Sequence, residues 1–168
     1  MWRAKRPSAR RTQLTSGTLG FVAGLRSQLP LTLLAVAANG GRFARTADGP
    51  LSLLRSRGTL AVLALASNGE MIGDKLPFTP SRISRPSIYG RLLVGGIAGA
   101  IVAREARQST ALGALIGIAG AVAGSYAGYS ARHTLVNVTG FPDFVWAVSE
   151  DALALGLGLA LIRPYFKK

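Results

Sequence analysis

The chain has 168 residues, 49% of them hydrophobic, with 21 glycines and a mean hydropathy of +0.33, which suits one domain and is too apolar for an ordinary soluble fold of this size. The absence of cysteine and a single histidine, His133, exclude a disulfide framework, a thiolate metal centre and a histidine-rich metal site within one chain. A net charge of +13 would suggest nucleic acid in a soluble protein, but with only 7% aromatic residues and the basic residues gathered in the tail and between apolar runs, anionic lipid headgroups are the expected counter-charge and nucleic acid is not expected as a partner.

Residues 1–15 read as a basic flexible arm carrying Arg3, Lys5, Arg6, Arg10 and Arg11, and residues 16–168 as a single transmembrane helical domain. The arm resembles a secretory n-region, but Arg26 interrupts the apolar run that follows, which argues against cleavage. The first span, Gly17 to Ala38, holds Arg26, Ser27, Gln28 and Pro30 near its middle. Proline removes a backbone donor and clashes with the preceding turn, so this span is expected to be kinked or broken. A polar connection follows, with a short interfacial turn around Leu51 to Leu54.

Thr59 to Leu76 is the second span, and its latter half carries Asn68, Glu70, Asp74 and Lys75. A charge at mid-membrane costs about 2.5–3.5 kcal/mol, and a Leu or Val returns only about 0.3–0.6. Asp74 and Lys75 are therefore expected at the interface and Glu70 paired inside the bundle. Phe78 to Arg91, with Pro80 and Pro86, reads as a surface loop; Leu92 to Ala103, with Gly95 and Gly99, as a short third span; and Arg104 to Gln108 as a tight turn that makes the third and fourth spans antiparallel neighbours.

The fourth span, Leu112 to Ala131, is the centre of the expected bundle. Gly113, Gly117, Gly120, Gly124 and Gly128 recur every three or four residues, one stripe of a helix where a neighbour can come very close: a glycine zipper. Such a helix would be poor in water, since each interior Gly costs about 1 kcal/mol relative to Ala. Arg132 and His133 cap it. The fifth span, Phe144 to Ile162, has Trp146 as an interfacial anchor and Ser149, Glu150 and Asp151 in its early turns.

The expected architecture is thus an all-α, polytopic bundle of about five spans in a bacterial inner membrane, forming a homo-oligomer through its remaining glycine faces. With five spans the basic residues divide almost evenly between the two sides, which leaves orientation open and admits dual insertion. A faint echo between the Gly20/Gly24 and Gly124/Gly128 segments, each followed by a span with Glu and Asp, would suit a two-span repeat around a midplane site.

Ionisable residues at membrane depth pair with each other and often mark ion or proton pathways. Arg26, Ser27, Gln28, Glu70, Asp74, Lys75, Arg132, His133, Glu150 and Asp151 are the candidates, with Arg26 as the cation for Glu70 or Glu150 because its guanidinium can hold a carboxylate bidentately. These residues support a small transporter or channel for a proton, ion or small solute. The alternative is a structural subunit that packs lipids, pigments or partner helices through its glycine faces, its charges forming a closed network. No nucleophile–base set, phosphate loop or metal motif supports an enzyme, and no cofactor is implied.

Gly24-Leu25-Arg26-Ser27, Glu70-x-x-x-Asp74-Lys75-x-Pro77 and Glu150-Asp151-x-x-Ala154-Leu155, in this order and spacing, resemble a family of small bacterial membrane proteins known as domain of unknown function 4126. The resemblance runs from about Gly17 to Pro164. It implies a compact multi-span membrane domain and no established activity.

Overall fold

The computed structural model describes residues 7–40, 50–73 and 85–162. These form six α-helices and one 3-10 turn, with no strand among them. Helix α1, Ala9–Leu25, starts six residues before the expected end of the arm, because the Ser8 hydroxyl accepts the Arg11 N–H at 3.3 Å and caps it. It stops at Arg26, whose backbone is extended. Helix α2, Leu29–Asn39, then begins with Pro30 in its first turn, where a missing N–H costs nothing. Proline here starts a new helix instead of kinking an old one.

The Asn39 amide donates to the Leu54 carbonyl at 2.9 Å, tying the end of α2 to the 3-10 turn Pro50–Arg55. Helix α3 is Arg57–Gly73 and α4 is Arg85–Glu105. A tight turn at Arg107, φ 57°, leads to α5, Thr110–Thr139, capped by Ser109 and closed by Gly140 in the left-handed region at φ 68°. Helix α6 is Asp143–Ile162. Among the described residues three stretches are long and apolar enough to cross a membrane: Ser87–Glu105, Thr110–Thr139 and Asp143–Leu161.

The glycine stripe of α5 serves two neighbours. Toward its start, a Cβ on Gly113 would meet the backbone of Gly99, and one on Gly117 the backbone of Gly95. Further along, Gly120 and Gly124 lie against the backbone of Gly17 and Phe21 in α1. The contacts rise together along α1 and α5, which are therefore parallel, and run oppositely along α4 and α5. The turn at residues 106–108 makes α4 and α5 antiparallel, as its length requires. Ser16 closes the triangle by donating to the Gly99 carbonyl at 3.2 Å.

The expected first span is not one broken helix but a hairpin. Gly24 lies level with Arg91 of α4, whereas Leu34, Ala35, Ala37 and Ala38 pack with Leu19, Ala98, Ile101 and Val102. The chain thus turns back after Arg26. Helix α3 reverses again, with Thr32 at Leu63 and Ser27 at Glu70, so all six helices alternate in direction. The expected loop Phe78 to Arg91 is also shortened, since α4 already starts at Arg85. Helix α5 runs through Arg132 and His133 to Thr139, so those two residues lie within a helix and do not cap it.

Candidate functional site: a charged helix reversal

A helix end leaves N–H or carbonyl groups without intrahelical partners, and the reversal at Arg26-Ser27-Gln28 buries both kinds. Arg91 of α4, 3% exposed, serves the carbonyls. Its Nη1 donates to the carbonyls of Gly24 at 2.7 Å and Leu25 at 3.0 Å, and the Ser125 hydroxyl also donates to Gly24 at 3.4 Å. Glu70 of α3 serves the donors: its carboxylate accepts the N–H of Ser27 at 2.8 Å and of Gln28 at 3.1 Å. A cation thus sits at the C-terminus of α1 and an anion at the N-terminus of α2, the signs that the two helix dipoles favour. Arg91 and Glu70 are themselves paired at 3.3 Å.

Arg26, 1% exposed, carries the second pair. Its guanidinium reaches out of the reversal to Asp151 of α6. The reversal and helices α3, α4 and α6 therefore meet through two ion pairs, with the buried Ser125 of α5 beside them. The reversal is level with Arg91, Ser125 and Asp151, each within about a turn of the midpoint of the three membrane-length helices.

Of the residues singled out in the sequence, Arg26, Ser27, Gln28, Glu70 and Asp151 meet here. Arg26 pairs with Asp151, the chain neighbour of Glu150, and Glu70 pairs with Arg91. Arg132 pairs with Asp143 across the α5–α6 turn. His133 stacks on Tyr129 at 6.3 Å and lies 3.3 Å from the Asn137 amide, on an exposed face away from the reversal. Asp74 and Lys75 lie outside the described residues. Glu150 lines a cavity of about 250 Å³ between α1, α5 and α6, together with Phe21, Leu25, Gly128, Arg132 and Trp146.

Arg91 was missed in the sequence because Pro86 and the basic residues before it suggested a loop. A signal existed: Arg91, Gly95 and Gly99 are spaced by four, which places Arg91 on the face of α4 that the glycines press into the bundle. Among the described residues no group of three or more His, Cys, Asp or Glu could hold a metal ion. Removing the charge of Glu70 or Asp151 by substitution would weaken the hold on its guanidinium and so on the buried reversal.

Six helices, three of membrane length, gathered around a buried charged reversal define an all-helical protein of membrane type. Residues 14–166, nearly the whole chain, match the family described as Domain of unknown function (DUF4126), and the protein belongs to that family. No curated protein and no solved structure matches the chain.

Proposed function

We propose that this protein is a small membrane transporter or channel whose control point is the reversal between α1 and α2. The observation that carries this reading is the depth of that reversal: non-helical backbone, held by Arg91 and Glu70, level with the middle of α4, α5 and α6. Irregular backbone at membrane depth is tolerated where protein buries it or a cavity borders it, and interrupted helices at the midplane are where transporters bind ions and solutes. In this reading α4, α5 and α6 span a bacterial inner membrane, and α1 to α3 enter from one side and reach its middle. The glycine stripe of α5 acts as the zipper that holds α1 and α4 on it.

The alternation of helices also supports an orientation. Among the described residues, Arg10, Arg11, Arg55, Arg57, Arg104 and Arg107 lie toward the end where α1 begins, against Arg85 and Arg132 toward the other. The basic end is the cytoplasmic one by the positive-inside rule, and anionic headgroups are its counter-charge.

The test is flux in proteoliposomes loaded with a pH dye or with radiolabelled monovalent ions. The wild type is expected to exceed empty vesicles, and Asp151→Asn and Glu70→Gln to change that rate at least about tenfold while retaining the helical signal. Wild-type flux equal to that of empty vesicles for every species would move the assignment to a structural subunit. That second reading has its own support: Gly69, Gly90 and Gly156 have open space beside them, small-residue faces on which partner helices or a second copy could pack.

A further inference from the structure

We infer that the cavity between α1, α5 and α6 holds one acyl chain of a bilayer phospholipid, the ester carbonyl of that chain accepting from the Trp146 Nε1–H. The inference goes beyond transport and rests on the proposed reading only in needing α5 and α6 to cross the bilayer.

The cavity is a slot between two helix faces. Its wall on α6 is Trp146, Ser149, Glu150 and Leu153, and its wall on α5 includes Ala127, Ala131 and Leu135, spacings of three and four residues that keep each set on one side of its helix. At the helical rise these faces run about 10–12 Å. They lead from Trp146 and Leu135, near one end of the two helices, to Leu153 and Ala127 near their middle. Phe21 and the buried Leu25 of α1 close the inner side. The outer rim is open, with Ala127 and Ala131 exposed and Leu153 54% exposed. In the proposed placement that opening faces hydrocarbon, and a lipid chain can enter through it sideways.

The lining selects an uncharged, apolar occupant. Arg132 and Glu150 are its one basic and one acidic residue, so no net charge calls for an ion. The volume of about 250 Å³, below the roughly 300–1,000 Å³ of drug-sized sites, admits a chain segment and not a whole lipid. Left empty, such walls would forgo dispersion contacts on one side.

An unused donor fixes which part of the lipid lies at the mouth. The Trp146 Nε1–H is buried without a hydrogen-bond partner among the described residues, and a buried indole N–H ordinarily has one. Trp146 stands at the start of α6, the end of its span, where tryptophans sit level with the lipid headgroups. The acceptor offered at that depth is the ester carbonyl, from which the attached chain runs inward along the slot toward Leu25.

The experiment reads Trp146 fluorescence of the full chain, in a Trp2→Phe background, in vesicles of diester phosphatidylcholine brominated in the upper half of one acyl chain. The brominated lipid is diluted with unbrominated diester phosphatidylcholine or with its diether analogue, which lacks the carbonyl. Trp146 is expected to be quenched, and to prefer diester over diether at least about threefold, the size of one net hydrogen bond. Leu115→Trp, at a position 65% exposed on α5 and with Trp2 and Trp146 both replaced by Phe, gives the value for ordinary surrounding lipid, expected near one. Ala131→Leu and Ala127→Leu, each filling the slot, should bring the preference at Trp146 down to that value while keeping the helical signal. Equal preference at Trp146 and at Leu115→Trp overturns the site without any variant in the slot, and so does a preference at Trp146 that survives both filling variants. Quenching at Leu115→Trp but not at Trp146 removes the site and leaves the spanning of α5 intact; quenching at neither overturns both. Flux is not read, so failure of the transport reading alone leaves the site standing.

Discussion

Arg91 and Glu70 illustrate how a buried charge becomes tolerable. Each satisfies two backbone groups of a helix end and then pairs with the other, so neither carries an unmet charge into the core. Removing one partner strands the second, which typically costs about 3–5 kcal/mol for a buried pair. Arg91→Met is therefore expected to destabilise by that amount in thermal or denaturant unfolding. Adding Glu70→Gln should recover at least about half of the loss, because no lone carboxylate remains and the amide oxygen still accepts from one of the Ser27 and Gln28 N–H groups, which take different carboxylate oxygens in the wild type. If the double variant were as unstable as the single one, the cost would lie in the Gly24 and Leu25 carbonyls and not in the ion pair.

At the scale of elements, glycine decides how near the helices come. A Cβ on Gly124 would stand 2.9 Å from the Phe21 carbonyl carbon and 3.0 Å from its Cα, backbone that cannot rotate away. Gly124→Leu should cost at least the roughly 1–3 kcal/mol of ordinary overpacking and separate α1 from α5. Gly156→Leu, where nothing lies within 4 Å, should stay within about 0.5 kcal/mol of the wild type. Thermal melts of the two variants check the pair; similar losses in both would mean that the close α1–α5 approach contributes little. The same stripe of α5 can receive two helices because residues at i, i+4 and i+7 drift only slightly around the axis, and α4 leaves the stripe where α1 takes it up.

For the whole molecule, the hairpin of α1 and α2 changes every direction that follows. A single first span makes α1 and α5 antiparallel; the reversal makes them parallel, with their starts at one end of the bundle. The prediction is that single cysteines replacing Ser8 and Ser109 are labelled from the cytoplasmic side and one replacing Thr139 from the other. Labelling of Ser8→Cys and Ser109→Cys from opposite sides would contradict the parallel arrangement, and labelling of all three from both sides would establish dual insertion. In the proposed topology the near-even distribution of basic residues in a five-span count would follow from that count, since one missed reversal exchanges the sides of every later connection.

Much of this protein is legible in local chemistry. Long, mainly apolar runs marked α4, α5 and α6 to within a few residues at most ends, because burial of a helix's backbone groups within itself needs no distant partner. The glycine spacing of α5 marked a face for close packing for the same reason: it is a property of one helix. The interruption at Arg26-Ser27-Gln28 was visible too, as was the need for Glu70 to be paired. Which way the chain left that interruption was not, since a proline in a first turn is compatible with a kink and with a fresh start. Nor was the choice of partners: Arg26 with Asp151 and Arg91 with Glu70 join helices far apart in the chain, and only the packed bundle determines which guanidinium lies within reach of which carboxylate. Tertiary structure decided the direction of the chain and the pairing of its charges because both depend on which surfaces meet, and no local pattern encodes that.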